Sequence, residues 1–273
     1  MKELSIRALS GAIYVLLLIA SLYNQHALTI LLYVFGMLSL AEFSKLINLK
    51  SFIQYLIFIL LYGGFWYSCI TNDTIKGSDE AIQILLVITI FVNLILIKDL
   101  FTTKQIPLFQ SKRFIVTTFY ITSGFIFMLL IANYQNTFTP LLLLGGFILI
   151  WVNDSAAYLV GKNFGRQKLF PRISPKKTVE GFLGGLFFAC ISSYFISVYT
   201  ETLGFTSWLI LAIIISALGT LGDLIESKFK RQAGVKDSGV IMPGHGGLLD
   251  RLDSIIFAAP FVYLFLRILS YVS

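Results

Sequence analysis

Apolar runs alternate with short polar connections along almost the whole chain. A membrane span needs roughly 20 apolar residues. On that rule about nine helices are expected, near 7–24, 27–46, 51–71, 81–98, 113–134, 139–160, 179–200, 205–226 and 249–271. The first has Lys2 and Arg7 ahead of an apolar core, as a signal peptide does. No small-residue cleavage site follows and further spans do, so it is expected to be retained. One long polar interruption stands out, Ser227 to Asp253, which is basic, glycine-rich and wedged between two lipid-compatible runs.

Composition agrees with this pattern. The chain is 57% hydrophobic and 13% charged, with mean hydropathy +0.84, whereas soluble domains carry about 25% charged residues. The expected class is an all-α polytopic membrane protein with no soluble domain attached. Two regions are expected: residues 1–134 as a scaffold of five spans, and 135–273 as four spans carrying the chemistry on loops 161–178 and 227–248. Cys69 and Cys190 each lie in an apolar run and suit packing rather than a disulfide framework or a zinc site. The aromatic residues, 15% of the chain, are spread along the spans and read as lipid-facing and interfacial filling. Gly181, Gly184 and Gly185 share a helical face that lets a neighbouring backbone approach closely; such faces also permit a homodimer.

The net charge of +7 falls in loops between spans, not in a soluble module with aromatic platforms, so no nucleic-acid partner is expected. With the N-terminus cytoplasmic and strict alternation, the inner side carries Lys2, Arg7, Lys45, Lys50, Lys98, Lys104, Lys112 and Arg113. It also takes the six basic residues of the loop after Gly161 and Lys228, Lys230, Arg231, Lys236 and Arg251. Of the 21 basic residues only Lys76 and Arg267 remain for the other side. The loop at 72–80 is acidic through Asp73, Asp79 and Glu80. This asymmetry follows the positive-inside rule and places the C-terminus outside.

Candidate chemistry concentrates in the C-terminal half. Asp154, beside Asn153 and Ser155, lies a turn or two from the inner end of the sixth span, where a carboxylate is expensive and is a functional-site hypothesis by default. The loop from Gly161 to Thr178 brings Lys162, Arg166, Lys168, Arg172, Lys176 and Lys177, with Ser174, Thr178 and a helix start. That set suits a polyphosphate or anionic lipid. Asp223, Glu226 and Ser227 share one face at the end of the eighth span, where carboxylates oppose the macrodipole unless a cation sits there. Asp250 and Asp253 share a face at the start of the ninth. Two such faces suit a hard cation such as Mg²⁺, or salt bridges with Lys230, Arg231 and Arg251. Gly244, Gly246 and Gly247 around His245 would let backbone N–H groups approach an anion. Glu42, near the inner end of the second span beside Lys45, is open to a functional role, with half of an interfacial ion pair as the better reading.

The stretch Ser227-x-Phe229-Lys230-Arg231-x4-Lys236-Asp237-x-Gly239-x2-Met242-Pro243-x-His245-Gly246-Gly247-Leu248-x-Asp250-Arg251-Leu252-Asp253 resembles the signature of the phosphatidate cytidylyltransferases, the CDP-diacylglycerol synthases. Met242 stands where that pattern has Leu, Ile or Phe, a size-conserving swap. Asp154–Tyr158 and Ser174–Thr178 resemble the family's second region. The resemblance implies transfer of a cytidylyl group from CTP to phosphatidic acid within the bilayer. It implies Asp223 and Asp250 as metal ligands for Mg²⁺, with Asp253 outer-shell or on a second, monovalent cation. Lys230, Arg231, Lys236 and Arg251 would hold phosphates, with Ser227 and His245 as hydrogen-bond partners. Asp154, Asp237, Gly246 and Gly247 would complete the substrate site, with Ser174, Lys176, Lys177 and Thr178 on the nucleotide side. The expected location is a bacterial inner membrane with the site facing the cytoplasm. The alternatives are a CTP-dependent polyprenol or phytol kinase, and a transporter. Transporters place charge near the midplane and often show repeated halves; here charge clusters at one face and no repeat is visible.

Overall fold

The computed structural model describes the chain apart from residues 1, 72–76, 245 and 273 and the side chains of residues 2–8, 70, 71 and 272. Asp73, Lys76 and His245, each given a role above, lie outside the described residues. The chain forms α1 (Lys2–Ser21), α2 (Gln25–Leu46), α3 (Ile53–Thr71) and α4 (Ser78–Phe101). The fifth rod is α5 (Gln110–Val116), a π-helical turn at Thr117–Thr122 and α6 (Ser123–Ala132). Then follow α7 (Pro140–Phe164), strands β1 (Lys168–Phe170) and β2 (Ser174–Thr178), α8 (Val179–Thr200), α9 (Phe205–Gln232) and α10 (Leu249–Val272). Among the described residues seven helical rods are long and apolar enough to cross a membrane, and the apolar parts of α1 and α3, Leu9–Ser21 and Ile53–Cys69, are shorter. The chain is an all-α polytopic membrane protein, with one small β-hairpin that the apolar pattern does not signal.

Two helices run further than their apolar stretches. α7 continues to Phe164, which leaves Asp154 ten residues, about 15 Å at 1.5 Å per residue, from the helix end. Asp154 is thus further from the helix end than the turn or two that separates it from the end of the apolar stretch. α9 runs to Gln232 and so carries Ser227, Lys228, Lys230 and Arg231 on helix rather than in a loop. An ion pair between Glu226 and Lys230, four residues apart, supports the extension. Lys228 Nζ also donates to the Asp99 and Thr102 carbonyls at the end of α4, where a cation complements the helix dipole. The stop comes at Gly234, φ +74°: its N–H donates to the Arg231 carbonyl at 3.1 Å, and Val235 N–H donates to the Lys230 carbonyl at 2.9 Å. This is a Schellman ending, which only glycine adopts cheaply.

α7 and α8 lie backbone to backbone. A Cβ at Gly181 would sit 2.7 Å from the Ala157 carbonyl, and one at Gly185 would sit 2.7 Å from the Asn153 carbonyl. Gly184 faces the Val160 side chain. The small-residue face is therefore taken up within the chain, and a dimer would have to use other surface. The aromatic side chains are more than filling at the lipid boundary. Phe43 of α2, Tyr120 of the π turn, Phe229 of α9 and Phe257 of α10 are fully buried and meet ring to ring at 5.1–6.5 Å between centroids. This cluster ties the N-terminal helices to the two helices that carry the signature. Cys69 and Cys190 are free and pack against the apolar core.

Candidate active site

At one end of the bundle a cavity of about 700 Å³ opens between the C-terminal half of α7, the hairpin, the start of α8, the end of α9 and the start of α10. The hairpin is placed by main-chain bonds. Val179 N–H donates to the Gln167 carbonyl at 2.9 Å, and Gln167 N–H donates to the Glu180 carboxylate at 3.1 Å. Arg172 donates to the Thr103 carbonyl at 3.1 Å. With β2 fixed in this way, Lys176 and Lys177 line the cavity wall.

Of the residues singled out from the sequence, Asp154, Lys176, Lys177, Thr178, Asp223, Lys230, Asp237, Asp250, Arg251 and Asp253 all line this one cavity. So do Lys162 and Lys168 of the basic loop, and Asn153 and Thr220 join them. Ser174, Ser227, Arg231, Lys236, Gly246 and Gly247 are not part of the lining. Ser227 Oγ instead donates to Asp223 Oδ1 at 3.2 Å and orients that carboxylate. Arg231 donates to the Ile173 carbonyl at 3.4 Å and the Val235 carbonyl at 3.0 Å, fastening the hairpin to the end of α9. Thr178 caps α8: its Oγ1 accepts from Gly181 N–H at 3.1 Å, as expected of a threonine at a helix start. Gly247 N–H donates to Asp250 Oδ2 at 2.7 Å, and Gly246 turns at φ +89°. Lys236 is exposed, and Ser174 is half-buried on β2.

The charges in the cavity are organised in pairs. Lys177 is paired with Asp223. Lys230, only 10% exposed at its side chain, sits between the fully buried Glu226 and Asp250, whose Oδ1 lies 2.6 Å from Nζ. Asp250 accepts in addition from the Ser238 and Gly247 N–H groups at 3.0 and 2.7 Å. Burial alone would lower the pKa of the Lys177 ammonium, but Asp223, backed by Asp154 and Asp253, reverses that and holds it above its ordinary value. Deep in the cavity Asp154 and Asp253 have no ion pair among the described residues: Asp154 lies beside Asn153 Nδ2 at 3.3 Å, and Asp253, 7% exposed, accepts from Ser254 N–H at 2.7 Å; at the rim the exposed Asp237 also has none.

The donors on offer to a metal are all hard carboxylate oxygens. Among the described residues no three His, Cys, Asp or Glu side chains are gathered closely enough to form a ready cage. Asp223, Asp250 and Asp253, with Asp154, nevertheless line one water-accessible wall. That set fits Mg²⁺, which uses one or two carboxylates and fills its remaining positions with water and substrate phosphate.

Glu42 was read from the sequence as one half of a pair with Lys45. It is instead buried beneath the loop that precedes α10, where it accepts from Leu249 N–H at 2.8 Å, Leu248 N–H at 3.2 Å and Ser238 Oγ at 3.3 Å. No local sequence signal could have found this, because the partners are about two hundred residues apart.

The sequence model of the cytidylyltransferase family matches residues 5–269. The chain is 34% identical over 276 aligned positions to a protein of Bacillus subtilis (strain 168) named phosphatidate cytidylyltransferase, and the alignment covers 99% of each. Proteins of the same name from Staphylococcus aureus (strain COL) and Staphylococcus haemolyticus (strain JCSC1435) are 48% and 47% identical over 126 residues, spanning 45% of this chain and 48% of each relative.

Proposed function

This chain belongs to the cytidylyltransferase family, and we propose that it joins CTP and phosphatidic acid to give CDP-diacylglycerol and pyrophosphate. The observation that carries the reading is the cavity itself: a mixed wall of six basic residues and five aspartates at the end of a lipid-embedded bundle. The phosphomonoester of the lipid carries about −1.5 to −2 charge at neutral pH, and it must attack the α-phosphorus of a still more anionic triphosphate. The two reactants repel, so the protein's task is to neutralise charge and align the attack. The attacking oxygen is already ionised, so no strong base is needed.

In this reading Lys162, Lys168 and Lys176 receive phosphate groups at the cavity wall, and Arg251 approaches from α10. Lys177 and Lys230 are held in place by Asp223 and by Glu226 with Asp250. Asp223 and Asp250, with Asp253 close by, would hold Mg²⁺. A divalent cation there would supply Lewis-acid neutralisation of the phosphate oxygens. Arg231, Ser227 and Thr178 serve as braces for the residues that touch substrate. The site faces the cytoplasm of a bacterial inner membrane, following the distribution of basic residues.

The test is pyrophosphate release from purified protein in phosphatidic acid micelles with Mg²⁺ and CTP, with GTP and dATP as controls. CTP-dependent pyrophosphate is expected; no pyrophosphate with phosphatidic acid, but release of CDP when a polyprenol replaces it, would mark a lipid kinase and overturn the proposal. Asp223→Asn is expected to abolish release while leaving the protein folded, and near-normal turnover by that variant would remove Asp223 from the site.

A further inference from the structure

The loop between α9 and α10 is held by two carboxylates from opposite sides, and they share the same short stretch of chain. Ser238 gives its N–H to Asp250 at 3.0 Å and its hydroxyl to Glu42 at 3.3 Å. At the other end of the loop Gly247 N–H goes to Asp250 at 2.7 Å, while the next two N–H groups, of Leu248 and Leu249, go to Glu42 at 3.2 and 2.8 Å. The backbone lies so close to Glu42 that a Cβ on Gly239 or Gly247 would run into its carboxylate. Glu42 is 2% exposed and is not part of the cavity wall. It sits at the N-terminus of α10, where negative charge satisfies otherwise orphaned N–H groups.

We infer that Glu42 is a positioning residue for the transfer site. It fixes the loop whose other face presents Asp237, and it fixes the first turn of α10, which presents Asp250, Arg251 and Asp253. The N-terminal helices thereby contribute to the geometry of the site as well as to the bundle. The inference rests on reading the cavity as that site. A carboxylate can accept all three bonds. Glutamine at this position keeps the shape but loses one acceptor and points an NH₂ group at N–H donors. Aspartate keeps both acceptors on a shorter stem.

The experiment measures kcat/KM for CTP with full-length protein, normalised to folded protein, for Glu42→Gln and Glu42→Asp. Stranding buried donors should lower the Glu42→Gln value at least about tenfold, with Glu42→Asp falling less. A role in filling space predicts the reverse order, so a near-wild-type Glu42→Gln, or an aspartate variant worse than glutamine, overturns the inference. Ser238→Ala should give a smaller loss that vanishes in the Glu42→Gln background, because the two act as one unit. If Glu42→Gln does not fold, wild-type kinetics in both Glu42→Asp and Ser238→Ala overturn it. Should the wild type itself release no pyrophosphate, the functional reading fails. Amide hydrogen exchange over residues 238–249 then decides separately whether Glu42→Gln frees the loop, and unchanged exchange overturns the clamp.

Discussion

Lys230→Met isolates the most buried electrostatic contact of the site. In the native chain the ammonium lies between Glu226, whose side chain is 0% exposed, and Asp250, 7% exposed. Methionine fills the stem's volume but leaves two largely buried carboxylates facing each other without a cation between them. Removing one partner of a buried ion pair costs about 3–5 kcal/mol, because the other charge is stranded without compensation. Asp250 keeps its two backbone donors, so most of the cost falls on Glu226, which has no hydrogen-bond donor other than that lysine among the described residues. At roughly 2–4 °C per kcal/mol for chains near this length, the midpoint of thermal unfolding should drop by about 6–20 °C. The assay heats detergent-solubilised protein in steps and follows the monodisperse fraction by gel filtration. Glu226→Gln in the same chain removes the stranded charge and should recover at least half of the loss. A Lys230→Met protein melting with the wild type, or a double variant no better than the single one, would refute this account of the pair.

Three further outcomes follow from the same geometry. The raised pKa of Lys177 means that its pairing stabilises the fold fully below its unfolded value of about 10.4, and that this contribution is lost only as pH rises through the higher folded value. Melting between pH 7 and 9 should therefore be the same for wild type and Lys177→Met in slope, though not in level, and a Lys177-dependent slope in that window would contradict the assignment. Gly185→Leu puts side-chain atoms where a Cβ would already lie 2.7 Å from the Asn153 carbonyl. Overpacking of this kind costs about 1–3 kcal/mol or more, so yield and melting should both fall. Gly63→Ala, inside α3 with nothing within 4 Å of the added Cβ, should melt no lower than the wild type. A reporter fused after Ser273 should be active only outside the cell, and cytoplasmic activity would overturn the orientation drawn from the basic loops.

The apolar runs revealed the rods because a span must be continuously apolar, and the same reasoning located most of the cavity wall. Twelve residues singled out for their chemistry do line one space, since Asp223, Lys230, Asp250 and Asp253 lie within two or three turns of where a polar loop meets a helix. Helix ends were less legible. Residues Ser227–Arg231 are polar, and polarity there looks like a loop; yet they are good helix formers braced by Glu226–Lys230, and the chain breaks only at Gly234. The hairpin was hidden by its shortness and by Pro175. Ser227 and Arg231 illustrate another limit: a motif names residues the site needs without separating those that line the cavity from those that hold their neighbours. Glu42 lies beyond both kinds of signal, because its role depends on a contact across the bundle.

The balance of charge in the cavity bears on how it can work. Six basic residues face five aspartates, so the wall is close to neutral although both proposed reactants are strongly anionic. A wall of lysines alone would bind nucleotide, lipid and pyrophosphate alike, and uniform binding of that kind does not raise turnover. Here the deep cations are already engaged: Lys177 by Asp223, and Lys230 by Glu226 and Asp250. Such cations are preorganised, so they need not be reoriented as charge shifts toward the leaving pyrophosphate. The unpaired Asp154 and Asp253 would by themselves repel a phosphate. Their presence beside Asp223 is costly unless a cation accompanies the substrate, which is the physical reason for placing Mg²⁺ at this wall and leaving Lys162, Lys168 and Lys176 to receive the phosphates.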